Sequence, residues 1–350
     1  MLLNLWNSVL RAEIKSTKPF IRTTEFLWQE GHTAHATDKE AEKEVMDILH
    51  LYKRVMEELA AVSVLIGKKS DSEKFVGAVY TTTLEAMMPD GKAIQMGTSH
   101  HLGQNFSKPF EIRFLGEDGE MQFVWQTSWG ISWRVIGAAV LEHGDDKGLF
   151  LPPRVAPIQV IIVPILFSSQ NTEMVLKKCS EIQSSLSSLG IRVHLDSRDN
   201  YTPGWKFNEW ELKGVPVRIE IGPRDVSSGS AVVVRRDSKE KQSVGFEELS
   251  VSVQSSLEEI QDTLLKKSVA RLKERTSEAS SFEELSRIIE EKEGFVGGYW
   301  CGSLDCENKV KEKTGADIRL IPFEQPNRDE SYCLVCNEKA KSFVYFARAY

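Results

Sequence analysis

The sequence predicts an α+β protein in three parts, on three observations. In the first part, short strand-like runs follow one another with turn signals between them, the pattern of an antiparallel sheet with flanking helices. Beyond a proline-rich segment at 151–157 the pattern changes to strands alternating with helices, which indicates a smaller α/β domain with a mixed or parallel sheet. A polar stretch near 276–281 leads to a third small unit that carries four of the five cysteines. The expected domains are 1–156, 157–275 and 282–350.

Taken in order, residues 1–36 read as two strands joined by the polar turn 15–19. Thr37 and Glu40 stand three apart as a capping box, and Val45, Ile48, Leu49, Tyr52, Val55, Met56 and Leu59 follow at helical spacing, predicting a helix over about 38–60. Strand-like pieces follow at 75–85, 93–99, 110–114 and 122–126, separated by turns such as Pro89-Asp90-Gly91 and Glu117-Asp118-Gly119. A short apolar helix is expected over 134–143. The stiff segment Leu151–Pro157 marks a boundary. After it come a continuous apolar strand at 158–163 and a helix with Val175, Cys179, Ile182 and Leu186 inward and Gly190 past its end. Strands at 191–195, 215–221 and 231–235 and a long helix around 254–275 complete the second part, and 343–350 reads as a buried strand.

At 350 residues the chain is long enough for two or three domains, and 41% apolar and 27% charged residues are ordinary for a globular protein. The net charge of -7 argues against a general polyanion binder but allows local basic patches. No apolar run approaches the roughly 20 residues of a membrane span, and the N-terminus is too quickly charged for a secretory signal. Five cysteines, an odd number in a long chain, fit a reducing compartment, so a cytoplasmic setting is expected.

Three runs carry chemistry. In Pro19–His32, alternation places Phe26, Trp28, Glu30 and His32 on one strand face. That face suits a small ligand with an apolar ring and a positive charge: Trp28 covers the ring, Glu30 meets the cation, and Arg22 meets an anion. The second run, Gln95–Lys108, puts Thr98 and His100 on one face, and a polar hairpin with turn glycines is the simpler reading of it. Its His100-His101 pair lacks a carboxylate or cysteine at ligand spacing, which disfavours a metal there. The third run, Thr127–Arg134, is a small-residue strand in which Gly130 allows close approach of a ligand. Arg11, Arg22 and Arg134 sit among apolar neighbours and need anionic partners, supplied by structural ion pairs or by a ligand.

Together these runs resemble the archaeal/eukaryotic-type prolyl-tRNA synthetases within the class II aminoacyl-tRNA synthetases. Arg11-Ala12-Glu13 is similar to the Arg-x-Glu of the class's motif 2, and PFIRTTEFLWQEGH to the return strand of that motif. QMGTSHHLGQNFSK resembles the amino-acid-site strand and SWGISWR motif 3, and the likeness continues through LPPRVAP and TPGWKFNEWELKGVP to Tyr350. The resemblance implies a class II antiparallel sheet with flanking helices, an α/β anticodon-binding domain and a small α/β C-terminal zinc-binding-type domain whose terminus docks on the catalytic domain. It implies a cytoplasmic proline–tRNA ligase of translation that binds tRNA(Pro), L-proline and ATP, uses Mg2+, and in its relatives is a homodimer. Arg11 would bridge the α-phosphate and the proline carboxylate, with Arg22 and Arg134 on the outer phosphates as the other catalytic cations. Glu13, Thr23, Gln95 and Thr98 match nucleotide-binding positions, Gln95 also helping to place magnesium. Trp28, Glu30, His32 and His100 match the proline pocket.

By the same resemblance, motif 1 and the upstream Thr-x-Glu loop that grips the amine of proline are expected to be missing from this chain, and Val79 stands where relatives usually carry an acidic residue. A non-catalytic RNA-binding or scaffold fragment derived from such an enzyme is the alternative reading.

In the second part, Arg198–Phe207 interleaves cations with aromatics, as single-stranded bases require, though a surface turn with a buried tryptophan reads equally well. In the third, Cys301 and Cys306, four residues between them, and Cys333 and Cys336, two between them, suit a tetrahedral all-thiolate zinc site. Four thiols near the surface are the plainer reading, and relatives with this extension use matching cysteines. Cys179, on an apolar helix face, is expected in the core.

Overall fold

The computed structural model describes residues 1–12, 16–166, 172–326 and 330–350. They form two compact units, one of Met1–Glu58, Val62–Ala138 and Ser268–Tyr350, the other of Leu59–Ala61 and Ala139–Lys267.

The first unit is built on one sheet. Its strands and helices begin with β1 (Leu2–Leu10), β2 (Glu25–His35), α1 (Asp38–Arg54), β3 (Val64–Lys68), β4 (Tyr80–Met87) and β5 (Ala93–Gly103). The small hairpin β6 (Arg113–Leu115) and β7 (Met121–Phe123), then β8 (Trp125–Ser132) and α2 (Arg134–His143), follow. Among the described residues these strands run in the order β1-β2-β8-β5-β4-β3, with every pairing antiparallel.

Alternation gives this sheet two different faces. On β2, Gln29, Gly31 and Thr33 are buried on one side, and α1 covers that side of the sheet. The Tyr52 hydroxyl of α1 donates to Gln29 Oε1 at 2.7 Å. Thr37 starts the helix as expected: its hydroxyl accepts from the Glu40 amide, and the Glu40 carboxylate accepts from the Thr37 amide. Val45, Ile48, Leu49 and Tyr52 are buried, and truncating Leu49 to alanine costs about 2–5 kcal/mol. The other face, with Phe26, Trp28, Glu30 and His32, is left for a ligand. On the α1 side Gly31 is required, because a Cβ there would lie 2.1 Å from the Trp129 ring of β8, which packs against Tyr52.

Some boundaries differ from the expected ones. The helix expected to reach residue 60 ends at Arg54 and gives way to a π-turn, Val55–Leu59, which turns Leu59 outward. The strand expected from residue 75 begins at Tyr80, because the Phe75 amide donates to Thr81 Oγ1 and the chain turns there. Strand β3, only five residues long, was not expected.

The later part of the chain contributes α6 (Leu249–Glu274), β14 (Thr276–Glu278), α7 (Phe282–Glu291), β15 (Phe295–Trp300), α8 (Leu304–Thr314), β16 (Asp317–Pro322) and β17 (Ser342–Ala347). Its four strands lengthen the same sheet in the order β3-β16-β17-β15-β14. At the junction Ile321 faces Lys68 and Pro322 faces Gly67. Gly67 permits this, since a Cβ would sit 2.4 Å from the Ile321 carbonyl oxygen. The C-terminus docks on the 1–138 region: the Ala93 amide donates to the Arg348 carbonyl at 2.8 Å, and the Tyr350 hydroxyl to Asp90 at 2.6 Å.

The second unit holds β9 (Val160–Pro164), α3 (Thr172–Ser188), β10 (Val193–Leu195), α4 (Pro203–Leu212), β11 (Val217–Ile221), α5 (Pro223–Ser228), β12 (Ser230–Arg235) and β13 (Lys241–Gly245). The sheet is mixed, in the order β10-β9-β11-β12-β13, parallel across the first three strands. Val175, Cys179, Ile182 and Leu186 of α3 and Val253, Leu257 and Ile260 of α6 pack on one face. Ile161, Val163, Trp210 and Val215 cluster on the other. Of the stretch 198–207, read also as a surface turn with a buried tryptophan, residues 203–207 begin helix α4 and Trp205 is exposed: Thr202 caps the helix through the Trp205 amide and Pro203 occupies its first turn. No helix among the described residues is long and apolar enough to cross a membrane.

Candidate active site

The open face of β2, β5 and β8 forms the floor of a cavity of about 670 Å³. Phe26, Trp28, Glu30 and His32 line it from β2, Gln95, Thr98 and His100 from β5, Gly130 and Ser132 from β8, with Arg11 and Arg134 at strand and helix ends. A second cavity of about 510 Å³ abuts it, sharing Arg11, Phe26, Ser132 and Arg134 and adding Arg22 and Thr23. Pairing explains why these residues meet: Trp28 lies opposite Ser132, Glu30 opposite Gly130, and Thr98 opposite Gly130 from the other side.

One end of the composite site is cationic. The Arg11 guanidinium stands 5.2 Å over the Phe26 ring, and among the described residues neither Arg11 nor Arg22 has a carboxylate partner. Arg134 donates from Nε to the Ile21 carbonyl at 3.1 Å and from Nη1 to that of Gln95 at 3.2 Å. Burial, with Arg11 and Arg22 nearby, works against the charge of Arg134. A guanidinium stays protonated, so an anion entering here relieves that cost. The buried Thr23 hydroxyl has no partner among the described residues, as expected of a group that awaits a ligand or water.

The other end is aromatic and carboxylate-bearing. Trp28 Nε1 donates to Asn7 Oδ1, which holds the indole plane, and Phe26 meets the Trp28 ring edge-on at 5.8 Å. Glu30 lies 3.2 Å from His32 Nε2. His100 is held at both nitrogens: Nδ1 is 2.9 Å from Thr81 Oγ1 and Nε2 is 3.0 Å from Thr98 Oγ1. Thr81 Oγ1 also accepts the Phe75 amide at 3.0 Å. Burial lowers His100 to about 4, so it is neutral at ordinary pH.

His100 and His101 lie on opposite faces, His101 toward Asp38 at 3.1 Å and stacked on Tyr80, so they cannot share one ion. Glu13 lies outside the described residues. Val79 is exposed and its amide pairs with the His101 carbonyl, away from the cavity lining. Sequence reading missed Lys69, Glu73, Phe75, Thr81, Phe106 and Trp129, all of which line the cavity. Trp129 alone had a signal, the glycine at position 31 that its ring demands. The Trp129 indole N–H is buried with no partner among the described residues.

Away from this cavity, Cys301, Cys306, Cys333 and Cys336 bring their sulfurs within 4.8 Å of one another. Cys301 Sγ is 3.6 Å from that of Cys306 and 3.7 Å from that of Cys336. A tetrahedral ion with metal–sulfur bonds of about 2.3 Å needs sulfurs about 3.8 Å apart, so the donor set fits a structural metal. Burial pushes the Cys301 and Cys306 thiols up, so ionising them requires a cation. In the second unit Tyr201 and Trp205 stack at 3.9 Å, with Arg198 over both rings and bonded to Asp196 and Glu209.

Family models match in three successive stretches: "tRNA synthetase class II core domain (G, H, P, S and T)" over residues 3–143, "Anticodon binding domain" over 159–256 and "Prolyl-tRNA synthetase, C-terminal" over 282–350. The chain is 53% identical over 348 residues to a proline–tRNA ligase of Cenarchaeum symbiosum, covering 99% of this chain and 72% of that one. It is 50% identical to the proline–tRNA ligase of Alkaliphilus oremlandii, and 49% identical to proline–tRNA ligase 2 of Clostridioides difficile, each over 100% of this chain and 72% of the relative.

The chain belongs to the prolyl-tRNA synthetase family. The composite cavity falls entirely within the stretch that matches the class II core of these synthetases, and the four cysteines within the stretch that matches their C-terminal domain.

Proposed function

We propose that the protein is a proline–tRNA ligase that joins L-proline to ATP as prolyl-adenylate, releasing pyrophosphate, and passes the prolyl group to tRNA(Pro), releasing AMP. One observation carries the proposal for this chain's own residues: a cavity with an aromatic, carboxylate-bearing end meets a cationic one at Arg11. Proline's carboxylate oxygen attacks the α-phosphorus of ATP and the bond to the pyrophosphate oxygen breaks in line. The nucleophile is already ionised, so no side-chain base is needed, and catalysis reduces to positioning and charge neutralisation.

Arg11 bridges the carboxylate and the α-phosphate; Arg22 and Arg134 hold the outer phosphates, with Thr23 beside them. Thr98 and Gln95 meet the nucleotide, and the oxygen of Gln95, with those of ATP, suits hard Mg2+. Trp28 covers the pyrrolidine ring, Glu30 and His32 face its ammonium, and neutral His100 adds no competing charge. Each charged contact contributes about 1.5–3 kcal/mol. The second unit takes the anticodon, and its Tyr201–Trp205 stack offers a platform to an unpaired base. The four cysteines hold structural Zn2+.

Proline-dependent exchange of pyrophosphate into ATP by the protein tests the activity. Calorimetry with ATP and proline that registers no binding would favour a non-catalytic RNA-binding or scaffold role. For the zinc, elemental analysis should give one metal per chain, lost in Cys301→Ser. The loss should bring a large fall in thermal midpoint, since structural zinc contributes on the order of 10 kcal/mol.

A further inference from the structure

The cysteine-bearing segment reaches the cavity through two sets of buried polar contacts. Glu307 follows Cys306 on α8 and is 5% exposed. Its carboxylate accepts from Ser70 Oγ at 3.1 Å and Ser72 Oγ at 2.7 Å. Arg319 on β16 donates from Nε and Nη2 to Glu85 Oε2 at 3.1 and 2.9 Å. Lys69 Nζ donates to Glu85 Oε1 at 2.7 Å and to the Arg319 carbonyl at 2.9 Å. Serines 70 and 72 lie in the turn between β3 and β4, which ends on the cavity: Phe75 packs 5.0 Å from the His100 ring, and its amide holds Thr81 Oγ1. Ser70 is almost fully buried, and its hydroxyl lies between the Glu307 carboxylate and Ser72 Oγ, 2.9 Å away, so loss of the carboxylate leaves the two hydroxyls only each other and loosens the turn.

We propose that Glu307 is a positioning residue for the amino-acid end of the cavity: by anchoring Ser70 and Ser72 it sets Phe75 against His100, with Arg319, through Glu85 and Lys69, as the second anchor. This rests on the reading of that end as the proline site. The contact explains a buried carboxylate on a helix that touches no substrate, and it joins the C-terminal segment to binding without placing it at the chemistry.

The test compares Glu307→Ala and Glu307→Gln in the whole protein, measuring KM for proline, KM for ATP and kcat in pyrophosphate exchange, with hydrogen exchange of residues 69–79. Glu307→Ala should raise KM for proline about tenfold, with KM for ATP and kcat within about twofold, and should speed exchange at the Phe75 amide. Glu307→Gln, which keeps an acceptor oxygen, should recover most of both. An unchanged KM for proline, or an equal rise in KM for ATP, would overturn the proposal. If Glu307→Ala does not fold, Ser72→Ala removes the shorter of its two contacts from the other side and must show the same split in smaller measure. If the wild-type protein shows no proline-dependent exchange, the proline reading fails on its own account; unaltered hydrogen exchange of 69–79 in the variant then sinks the anchor independently.

Discussion

The arginines of the cavity and four of those in the second unit are the same residue under opposite conditions. In the second unit Arg198, Arg218, Arg235 and Arg236 are met by Asp196, Glu220, Asp237 and Asp145 at 2.6–2.8 Å. Asp196 also accepts the Trp210 indole N–H at 2.8 Å and lies 3.7 Å from the buried Lys206 ammonium. Burial alone would push the Asp196 carboxyl up, but Arg198 and Trp210 hold it well below the ordinary range. In the cavity Arg134 has only backbone carbonyls, and Arg11 and Arg22 have no carboxylate among the described residues. A guanidinium supplied with an anion by its own chain serves stability; one left without at the wall of a cavity is available to a ligand.

Four substitutions or conditions test that contrast. The largest effect is expected from Asp196→Ala, which leaves Lys206 buried beside carbonyls alone: unfolding by denaturant should show a loss of about 3–5 kcal/mol, with KM for ATP and proline unchanged. Arg11→Ala should do the reverse. Its kcat in pyrophosphate exchange should fall about 10²–10³-fold, equivalent to roughly 2.7–4 kcal/mol, at an unchanged melting temperature and with tRNA binding retained. A melting temperature that fell in step would make Arg11 structural and erase the distinction.

His100 offers a smaller, pH-dependent test. Its folded value of about 4 lies below the ordinary 6.5, so the unfolded chain binds the proton more tightly. The stability it contributes is complete above about pH 6.5 and is lost as pH falls toward 4, about 3 kcal/mol in all. His100→Asn should flatten the pH profile of stability over that window, and an unaltered slope would remove His100 from the buried neutral role. The smallest effect belongs to Arg22→Lys. It keeps the charge and gives up the fork, so KM for ATP should rise about tenfold while KM for proline stays.

Much of this site was legible in the chain because strand alternation is local. Phe26, Trp28, Glu30 and His32 share a face wherever β2 is placed, and Thr98 and His100 share one on β5. The capping box at Thr37 and the inward face of α3 are equally local. Phe75 was illegible because a turn, not a periodic element, delivers it. Helix α4 was passed over because its aromatics and cations drew a functional reading, although Thr202-Pro203 is a helix start.

The amino-acid order specifies faces: which side chains each strand or helix presents, a matter of backbone period. Which faces meet is set by the pairing of distant strands. Glu85 is the clearest instance, a carboxylate on β4 with no exposure, made tolerable by Lys69 sixteen residues away and Arg319 two hundred and thirty-four away. Burial raises the cost of its charge and the two cations hold its carboxyl below the ordinary range. A buried charge needs a partner but does not say where in the chain the partner lies; pairing β16 with β3 does. The same pairing joins the cysteine-bearing segment to the sheet that floors the cavity.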